Sequence, residues 1–101
     1  MDKDQKIAQT ILGQLSTGTR RLYAMIGAKH FSAIENGLAF QFKGCRQFNG
    51  VNIILQSDDT YSVRLVKIGK LKVVRDETTP NIYAESLVEF FEEKTGLRLS
   101  L

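Results

Sequence analysis

The sequence predicts an α+β domain in which an antiparallel sheet of four to five strands packs, on one face, against an N-terminal and a C-terminal helix. Apolar residues recur at a helical period near both ends of the chain, in residues 3–15 and again after residue 79. Between them, short runs rich in Val, Ile and Phe are separated by turn residues. Because these connections are short, hairpins are favoured over parallel crossovers. The 101 residues fit a single domain over residues 1–101.

The N-terminal helix is predicted over residues 3–15, and the segment Ser16-Thr17-Gly18 ends it. Residues 20–26 fit either a short helix that Gly27 stops or a short strand. The apolar stripe of the N-terminal helix consists of Ile7, Ala8, Ile11, Leu12 and Leu15.

Residues 29–43 predict the first hairpin. Asn36-Gly37 is the preferred pair for a two-residue type I′ turn. In that register Glu35 lies opposite Leu38, and the alternation of residue types separates an apolar face from a polar one. The predicted core face carries Phe31, Ala33, Leu38, Phe40 and Phe42.

Three further strands are predicted at residues 51–56, 60–68 and 71–76, where Val, Ile and Leu are frequent. Ser57-Asp58-Asp59 supplies the turn between the first two. The pair Gly69-Lys70 suits a type II′ turn between the last two, because glycine is favoured at its first central position.

The register of this last hairpin has two alternatives. A two-residue turn places Lys67 opposite Lys72. It also places Arg64 opposite Arg75, and like charges directly opposed destabilise a sheet. A loop one residue longer pairs Arg64 with Val74 instead. Either the longer loop forms, or the cationic pairs lie in water or meet an anion.

The C-terminal helix is predicted to begin after Thr79, which suits an N-cap, with Pro80 at its first position. Gly96 fits the left-handed residue that ends a helix. The core stripe of this helix consists of Tyr83, Ala84, Leu87, Val88 and Phe91.

Composition argues against several classes of function. Cys45 and His30 are the only cysteine and histidine, so no internal disulfide forms and a zinc site within one chain is not expected. A loop cysteine and a solvent-facing histidine explain this pair better than a Cys-His nucleophile. The glycines do not form a phosphate-binding motif. The sequence therefore predicts no metal, no cofactor and no enzymatic activity.

The chain also carries no membrane or export signal that sequence patterns reveal. No window approaches the roughly 18 continuous apolar residues of a membrane span. The N-terminal residues 1–6 are not followed by the apolar run of a signal peptide. We therefore expect a cytoplasmic protein with no membrane partner.

Charge is distributed unevenly along the chain. Residues 1–75 carry 12 Lys and Arg against 5 Asp and Glu, which is a net charge of +7. Residues 76–101 carry 2 against 6, a net charge of −4 that leaves +3 in total. The predicted sheet is therefore basic and the last helix acidic.

Basic residues on or beside the sheet are the candidate contacts to nucleic acid or another anion, and Tyr23, Phe48 and Tyr61 lie among them as candidates for stacking on bases. The alternative is a solvated sheet face whose lysines protect an edge strand from aggregation. A net charge of +3 is modest for a nucleic-acid-binding protein. The candidate binding residues are Arg20, Arg21, Lys29, Lys43, Arg46, Arg64, Lys67, Lys70, Lys72 and Arg75.

Four stretches carry a resemblance to a known group of proteins. Residues 21–31 (RLYAMIGAKHF) resemble R-F-x-A-M-x-G-A-K-x-F, with His30 in place of an expected Asn. Residues 59–63 resemble D-T-Y-x-V, residues 83–87 resemble Y-A-D-x-L, and residues 95–97 match T-G-L. Together they resemble short uncharacterised proteins of bacteriophages and bacterial mobile elements. The resemblance implies a bacterial or viral cytosolic setting and an accessory role, and it assigns no functional residues.

Two functional hypotheses follow. The first is a non-enzymatic binding module whose basic sheet face contacts nucleic acid or an acidic protein surface. The second is a protein–protein or self-association module, such as a homodimer, that pairs through an exposed edge strand or helix face. Binding that weakens with salt favours the first hypothesis, and a salt-insensitive dimer favours the second.

Overall fold

The computed structural model describes residues 3–15, 26–97 and 99. In this part of the chain, all five strands form one antiparallel sheet in the order β1-β2-β3-β4-β5, so each strand pairs with its neighbour in sequence. This confirms the predicted α+β fold with a helix at each end. The elements are helix α1 (Lys3–Leu15), strands β1 (Lys29–Ile34), β2 (Gly37–Gln41), β3 (Gly50–Leu55), β4 (Tyr61–Ile68) and β5 (Val73–Ile82), a 3₁₀ turn (Ala84–Ser86) and helix α2 (Leu87–Thr95).

The core lies between one face of the sheet and the two helices. Helix α1 contacts β1, β2 and α2. The Phe91 ring of α2 packs edge-on against Phe42, with ring centroids 5.2 Å apart. Along β3 and β4, residues alternate between this covered face and an open face, as expected for an antiparallel sheet with helices on one side. The buried side chains of the central strands include Leu38, Phe40, Val51, Ile53, Tyr61, Val63 and Leu65.

The first hairpin forms with a different register from the predicted one. Ala33 lies opposite Leu38, and the two turn residues are Glu35 and Asn36, of which Asn36 has a positive φ of 59°. Gly37 is the first residue of β2, and a Cβ there would overlap the carbonyl oxygen of Ile53. The predicted pairing of Glu35 with Leu38 is therefore wrong by two residues. A shift by two keeps each side chain on its face, so the predicted burial of β2 is confirmed.

The C-terminal half of the sheet extends further than predicted. Strand β5 continues to Ile82, with Thr79 opposite Val63, so Thr79 and Pro80 do not begin the helix. Pro80 is tolerated because β5 is an edge strand, where a missing N–H need not break a ladder bond. Helix α2 begins at Leu87 and ends where predicted, at Gly96, whose φ is 74°.

Neither predicted register of the last hairpin occurs. Strands β4 and β5 are joined by the four residues 69–72, which place Lys67 opposite Arg75 and Ile68 opposite Val73. The N–H of Gly69 donates to the carbonyl oxygen of Lys72 at 2.8 Å. In the observed register Asp76 lies two residues from Thr78, the partner of Arg64, and forms an ion pair with Arg64.

Candidate functional site

Five strand termini meet at one end of the sheet, because consecutive strands run in opposite directions. Lys29, Gln41, Gly50, Val66 and Asp76 form one row of paired residues across this end. Most of the predicted binding residues lie in this row or beyond it. We call this set the basic end: Lys29, Lys43, Arg46, Lys67, Lys70, Lys72 and Arg75.

The basic residues share an end of the sheet instead of one face, which corrects the prediction of a basic sheet face. Lys67 and Arg75 alternate in phase with the buried Leu65, so both lie on the face that the helices cover. Arg64 lies on the open face, further from the end. The remaining two candidates, Arg20 and Arg21, lie outside the described residues, as do Tyr23 and nearly all of the predicted element 20–26.

A groove of about 310 Å³ lies at the basic end. Three lysines border it, Lys29 in β1, Lys67 in β4 and Lys43 in the loop after β2, and no carboxylate occurs among its lining residues in the described part of the chain. This arrangement suits a bound anion, since nothing in the lining competes for the ammonium groups. The lining residues are Lys29, Gln41, Phe42, Lys43, Gly44, Cys45, Asn49 and Lys67.

Backbone and side-chain hydrogen bonds fix the loop that shapes this groove. The N–H of Phe42 donates to the carbonyl of Asn49 at 3.0 Å, and the N–H of Lys43 donates to the carbonyl of Ile26 at 2.9 Å. The Asn49 side chain forms two hydrogen bonds with the backbone of Ile68, the last residue of β4. Its Oδ1 accepts from the N–H of Ile68 at 2.8 Å, and its Nδ2 donates to the carbonyl of Ile68 at 3.1 Å. The lysines are therefore presented on a fixed backbone.

Two of the candidate cations are already paired with carboxylates. Arg64 donates two hydrogen bonds to Asp76, at 2.9 and 2.6 Å. Arg75 donates to Glu77 at 2.9 Å, its guanidinium stacks over the Phe48 ring at 5.1 Å, and Glu77 also meets Lys94 at 3.1 Å. The Arg64 hydrogen bonds hold the pKa of Asp76 below its ordinary value. Those from Arg75 and then Lys94 lower the pKa of Glu77.

The other cations of the basic end have no carboxylate partner among residues 3–15, 26–97 and 99. The ion pairs formed within these residues are those of Arg64, Arg75 and Lys94. The unpaired set is therefore Lys29, Lys43, Arg46, Lys67, Lys70 and Lys72.

The turn between β4 and β5 exposes apolar side chains that the sequence analysis did not single out. Leu71 is 103% exposed, and Ile68, Val73 and Val74 beside it are 42%, 49% and 57% exposed. The sequence placed Leu71 between Lys70 and Lys72, at the start of the strand predicted over residues 71–76. We call residues 68–74 the tip.

Acidic residues gather at the opposite end of the sheet, which we call the far end. The turn at Glu35–Asn36, the loop 57–60 with Asp58 and Asp59, and Asp4 at the start of α1 lie there. The Thr60 hydroxyl donates to the Asp58 carboxylate at 2.6 Å, and this hydrogen bond lowers the pKa of Asp58. Basic residues therefore predominate at one end of the strands, and acidic residues gather at the other.

Several alternative chemistries have no support in the described residues. Phe48 and Tyr61, predicted as stacking platforms for bases, are 1% and 3% exposed and belong to the core. No group of three or more His, Cys, Asp or Glu suited to a metal ion occurs among residues whose positions are described. His30 sits exposed at a β-bulge with a φ of 59°. Within the same residues, no helix has the length and apolar character needed to cross a membrane.

Comparison of the chain with protein-family models, with curated proteins and with solved structures finds no match. The resemblance to phage and mobile-element proteins therefore stays a prediction, and the site must be interpreted from its own chemistry.

Proposed function

We propose that this protein is a non-enzymatic binding module that holds the phosphate backbone of a nucleic acid against the basic end of its sheet. The observation that carries the proposal is the set of six cations at this end that have no carboxylate partner among the described residues. Phosphates are the complementary groups, and contacts of this kind dominate the affinity of proteins for nucleic acids.

The local energetics favour an anionic partner. Lys67 lies directly opposite Arg75 in the β4–β5 ladder, where like charges are unfavourable, and Glu77 pairs with Arg75 but not with Lys67. Lys29 and Lys43 border the same groove as Lys67. A phosphate bound there would relieve the mutual repulsion of these groups, so binding and local stability should increase together.

The width of the basic end also suits the phosphate backbone of a nucleic acid. Five strands at a spacing of about 4.8 Å extend about 19 Å from β1 to β5. That width matches about five base pairs of a duplex, so several phosphates are within reach of the basic end. The proposed setting is the cytoplasm of a bacterial cell, which the resemblance to phage and mobile-element proteins implies.

A second candidate function is self-association through β5. This edge strand has ten residues, none of them buried, and it includes the exposed Val73 and Val74. An uncovered edge of this length can pair with a second copy of the chain. Its outer edge is less suited to pairing near Pro80, which has no N–H to donate.

Fluorescence anisotropy with a labelled duplex of about 24 base pairs, measured between about 50 and 200 mM salt, tests the proposal. The double variant Lys29→Ala/Lys43→Ala removes two charges from the groove. The matched control, Lys3→Ala/Lys6→Ala, removes two exposed charges from α1 near the far end.

We expect the groove variant to weaken binding and to lower the salt slope by about 2, whereas the control leaves both nearly unchanged. Equal losses in the two variants, or no salt-dependent binding by the wild type, would refute the proposal. Light scattering that shows a salt-insensitive dimer without nucleic-acid binding would support self-association instead.

A further inference from the structure

We infer that the tip is a DNA-bending wedge: Leu71 inserts from the minor groove between base pairs of a DNA duplex while Lys70 and Lys72 contact the phosphates on either side. This inference rests on the proposed function and deepens it by naming the nucleic acid, the groove and the residue that enters it.

The first step is the shape of the tip. Leu71 is fully exposed at the middle of the four-residue turn, next to two lysines. Segment 67–75 contains four cations, Lys67, Lys70, Lys72 and Arg75, and no carboxylate. An apolar side chain at an apex, flanked by cations, is the arrangement that minor-groove proteins use when they insert Leu, Ile, Phe or Pro at a base step.

The second step is rigidity, since a wedge must not fold back when it meets DNA. The Asn49 side chain brackets the backbone of Ile68, with hydrogen bonds of 2.8 and 3.1 Å. The turn closes through the N–H of Gly69, which donates to Lys72 at 2.8 Å. The N–H of Leu71 donates to the carbonyl of Gly69 at 3.0 Å. The apex is thus held out from the sheet by its own backbone and by the neighbouring loop.

The third step distinguishes a duplex from a single strand. Proteins that bind single strands stack bases on exposed aromatic rings. Among residues 3–15, 26–97 and 99, the aromatic side chains at and behind the basic end are Phe42 and Phe48, which are 3% and 1% exposed and are not available for stacking. A leucine offers no stacking platform, but it can separate two stacked base pairs. B-form DNA is favoured over duplex RNA, because the RNA minor groove is wide and shallow.

Charge places the duplex relative to the body of the protein. With Leu71 in the minor groove, Lys70 and Lys72 lie over the two bordering backbones, which are about 6 Å apart across the groove. Lys67 lies near the end of β4, two residues before the turn, and Lys43 borders the same groove as Lys67. Insertion from the minor groove bends the duplex toward its major groove, and the phosphate contacts of the lysines offset the cost of unstacking.

End-to-end fluorescence energy transfer in a duplex of about 24 base pairs, labelled at both ends, tests the wedge. The variants are Leu71→Ser, which removes the wedge, and Lys70→Ala/Lys72→Ala, which removes the flanking charges. Val74→Ser is the matched control, because it replaces another exposed apolar residue of the tip away from the apex. Circular dichroism checks that each variant is folded, as expected for substitutions of exposed side chains.

We expect wild-type protein to shorten the end-to-end distance. Leu71→Ser should abolish the shortening and weaken binding by about tenfold or more while the salt slope stays unchanged. Lys70→Ala/Lys72→Ala should instead lower the salt slope by about 2. Val74→Ser should behave like the wild type.

Two results would overturn the wedge while leaving the proposed function intact: duplex binding without a change in end-to-end distance, or bending by Leu71→Ser equal to that of the wild type. Vesicles containing phosphatidylserine provide a further arm. If Leu71→Ser abolishes vesicle binding but leaves duplex binding unchanged, the tip is a membrane contact and the wedge is refuted. Absence of binding to any duplex would overturn both proposals.

Discussion

The turns of the first and last hairpins differ in how far they are bonded to the rest of the protein and in how much apolar surface they expose. Two hydrogen bonds join the turn at Glu35–Asn36 to neighbouring elements. The N–H of Asn36 donates to Oδ1 of Asp4 in α1 at 2.9 Å, and the carbonyl of Asn36 accepts from the N–H of Leu55 at 2.8 Å. The turn at Gly69–Lys72 is closed by its own backbone, with the N–H of Gly69 donating to the carbonyl of Lys72 at 2.8 Å, and it exposes Leu71 completely. One turn is part of the packed structure, and the other is available for contact with a partner.

The strands behind these turns are stabilised in different ways. Strand β2 buries Leu38 and Phe40 beneath α1, so the hydrophobic effect dominates its contribution. Strand β5 buries no side chain; backbone pairing with β4 and exposed ion pairs such as Arg64–Asp76 hold it. Exposed ion pairs contribute little to stability, so β5 should be more tolerant of substitution than β2.

The largest contrast should come from adding one methyl group to a glycine of each hairpin. In Gly37→Ala the new Cβ overlaps the carbonyl oxygen of Ile53, and the loss of unfolding free energy should be about 3 kcal/mol. In Gly69→Ala the nearest atom is a methyl carbon of Val74 at 3.3 Å, and the change should be within about 0.5 kcal/mol. Urea unfolding measures both. Equal losses would mean that the backbone is equally crowded at Gly37 and Gly69.

A smaller loss of unfolding free energy should follow from removing the hydrogen bond between α1 and the turn at Glu35–Asn36. Asp4→Ala removes the acceptor of the Asn36 N–H and should cost about 1 kcal/mol of unfolding free energy. The control is Lys70→Ala in the turn at Gly69–Lys72, which should change the unfolding free energy by no more than about 0.5 kcal/mol. The same urea titrations apply, and a neutral Asp4→Ala would show that the turn does not depend on the helix for its position.

The smallest effect concerns pH. Ion pairing lowers the pKa of Asp76 and Glu77 below their ordinary values of 3.8 and 4.5. Because these carboxylates bind protons less readily in the fold than in the unfolded chain, their stabilising contribution is present above the ordinary values and is lost as the pH falls through the lowered ones. Asp76→Asn should therefore reduce the fall in melting temperature on acidification.

The control for this measurement is Glu93→Gln, which neutralises an exposed carboxylate of α2 outside the ion pairs formed by the described residues. Its melting temperature should fall with acidification as steeply as that of the wild type. A wild-type curve that Asp76→Asn leaves unchanged would show that the Arg64–Asp76 pair does not stabilise the fold in solution.

The sequence predicted the fold correctly at positions where the residues fit only one type of local structure. The alternation in residues 37–43 and the glycine at position 96 each had a single structural meaning, and both were confirmed. Thr79 and Pro80 had two meanings, because a proline fits an edge strand as well as the first turn of a helix. The strand formed because pairing with β4 continues to Ile82, and this long-range contact is not visible in the local pattern.

The candidate site was only partly predictable for a related reason. Lysines and arginines were recognised by type, but their placement depends on which strand termini share an end, and that follows from topology. Arg64 and Arg75 were predicted as candidate anion contacts and are already paired with carboxylates. The register brings Asp76 of β5 beside Arg64, whereas Glu77 lies two residues from Arg75 in the same strand. Leu71 was overlooked because it belonged to a predicted strand, whereas the four-residue turn leaves it exposed.

The measurement that tests the central claim most directly is an NMR titration of ¹⁵N-labelled protein with a short DNA duplex at low salt. The basic-end proposal predicts that amide shifts change at Lys29, in the loop 42–49 and in residues 66–75, and that adding salt reverses them. The far-end amides of Glu35–Asn36 and 57–60 should stay unchanged. Perturbations centred on the far end, or no perturbation on duplex addition, would contradict it.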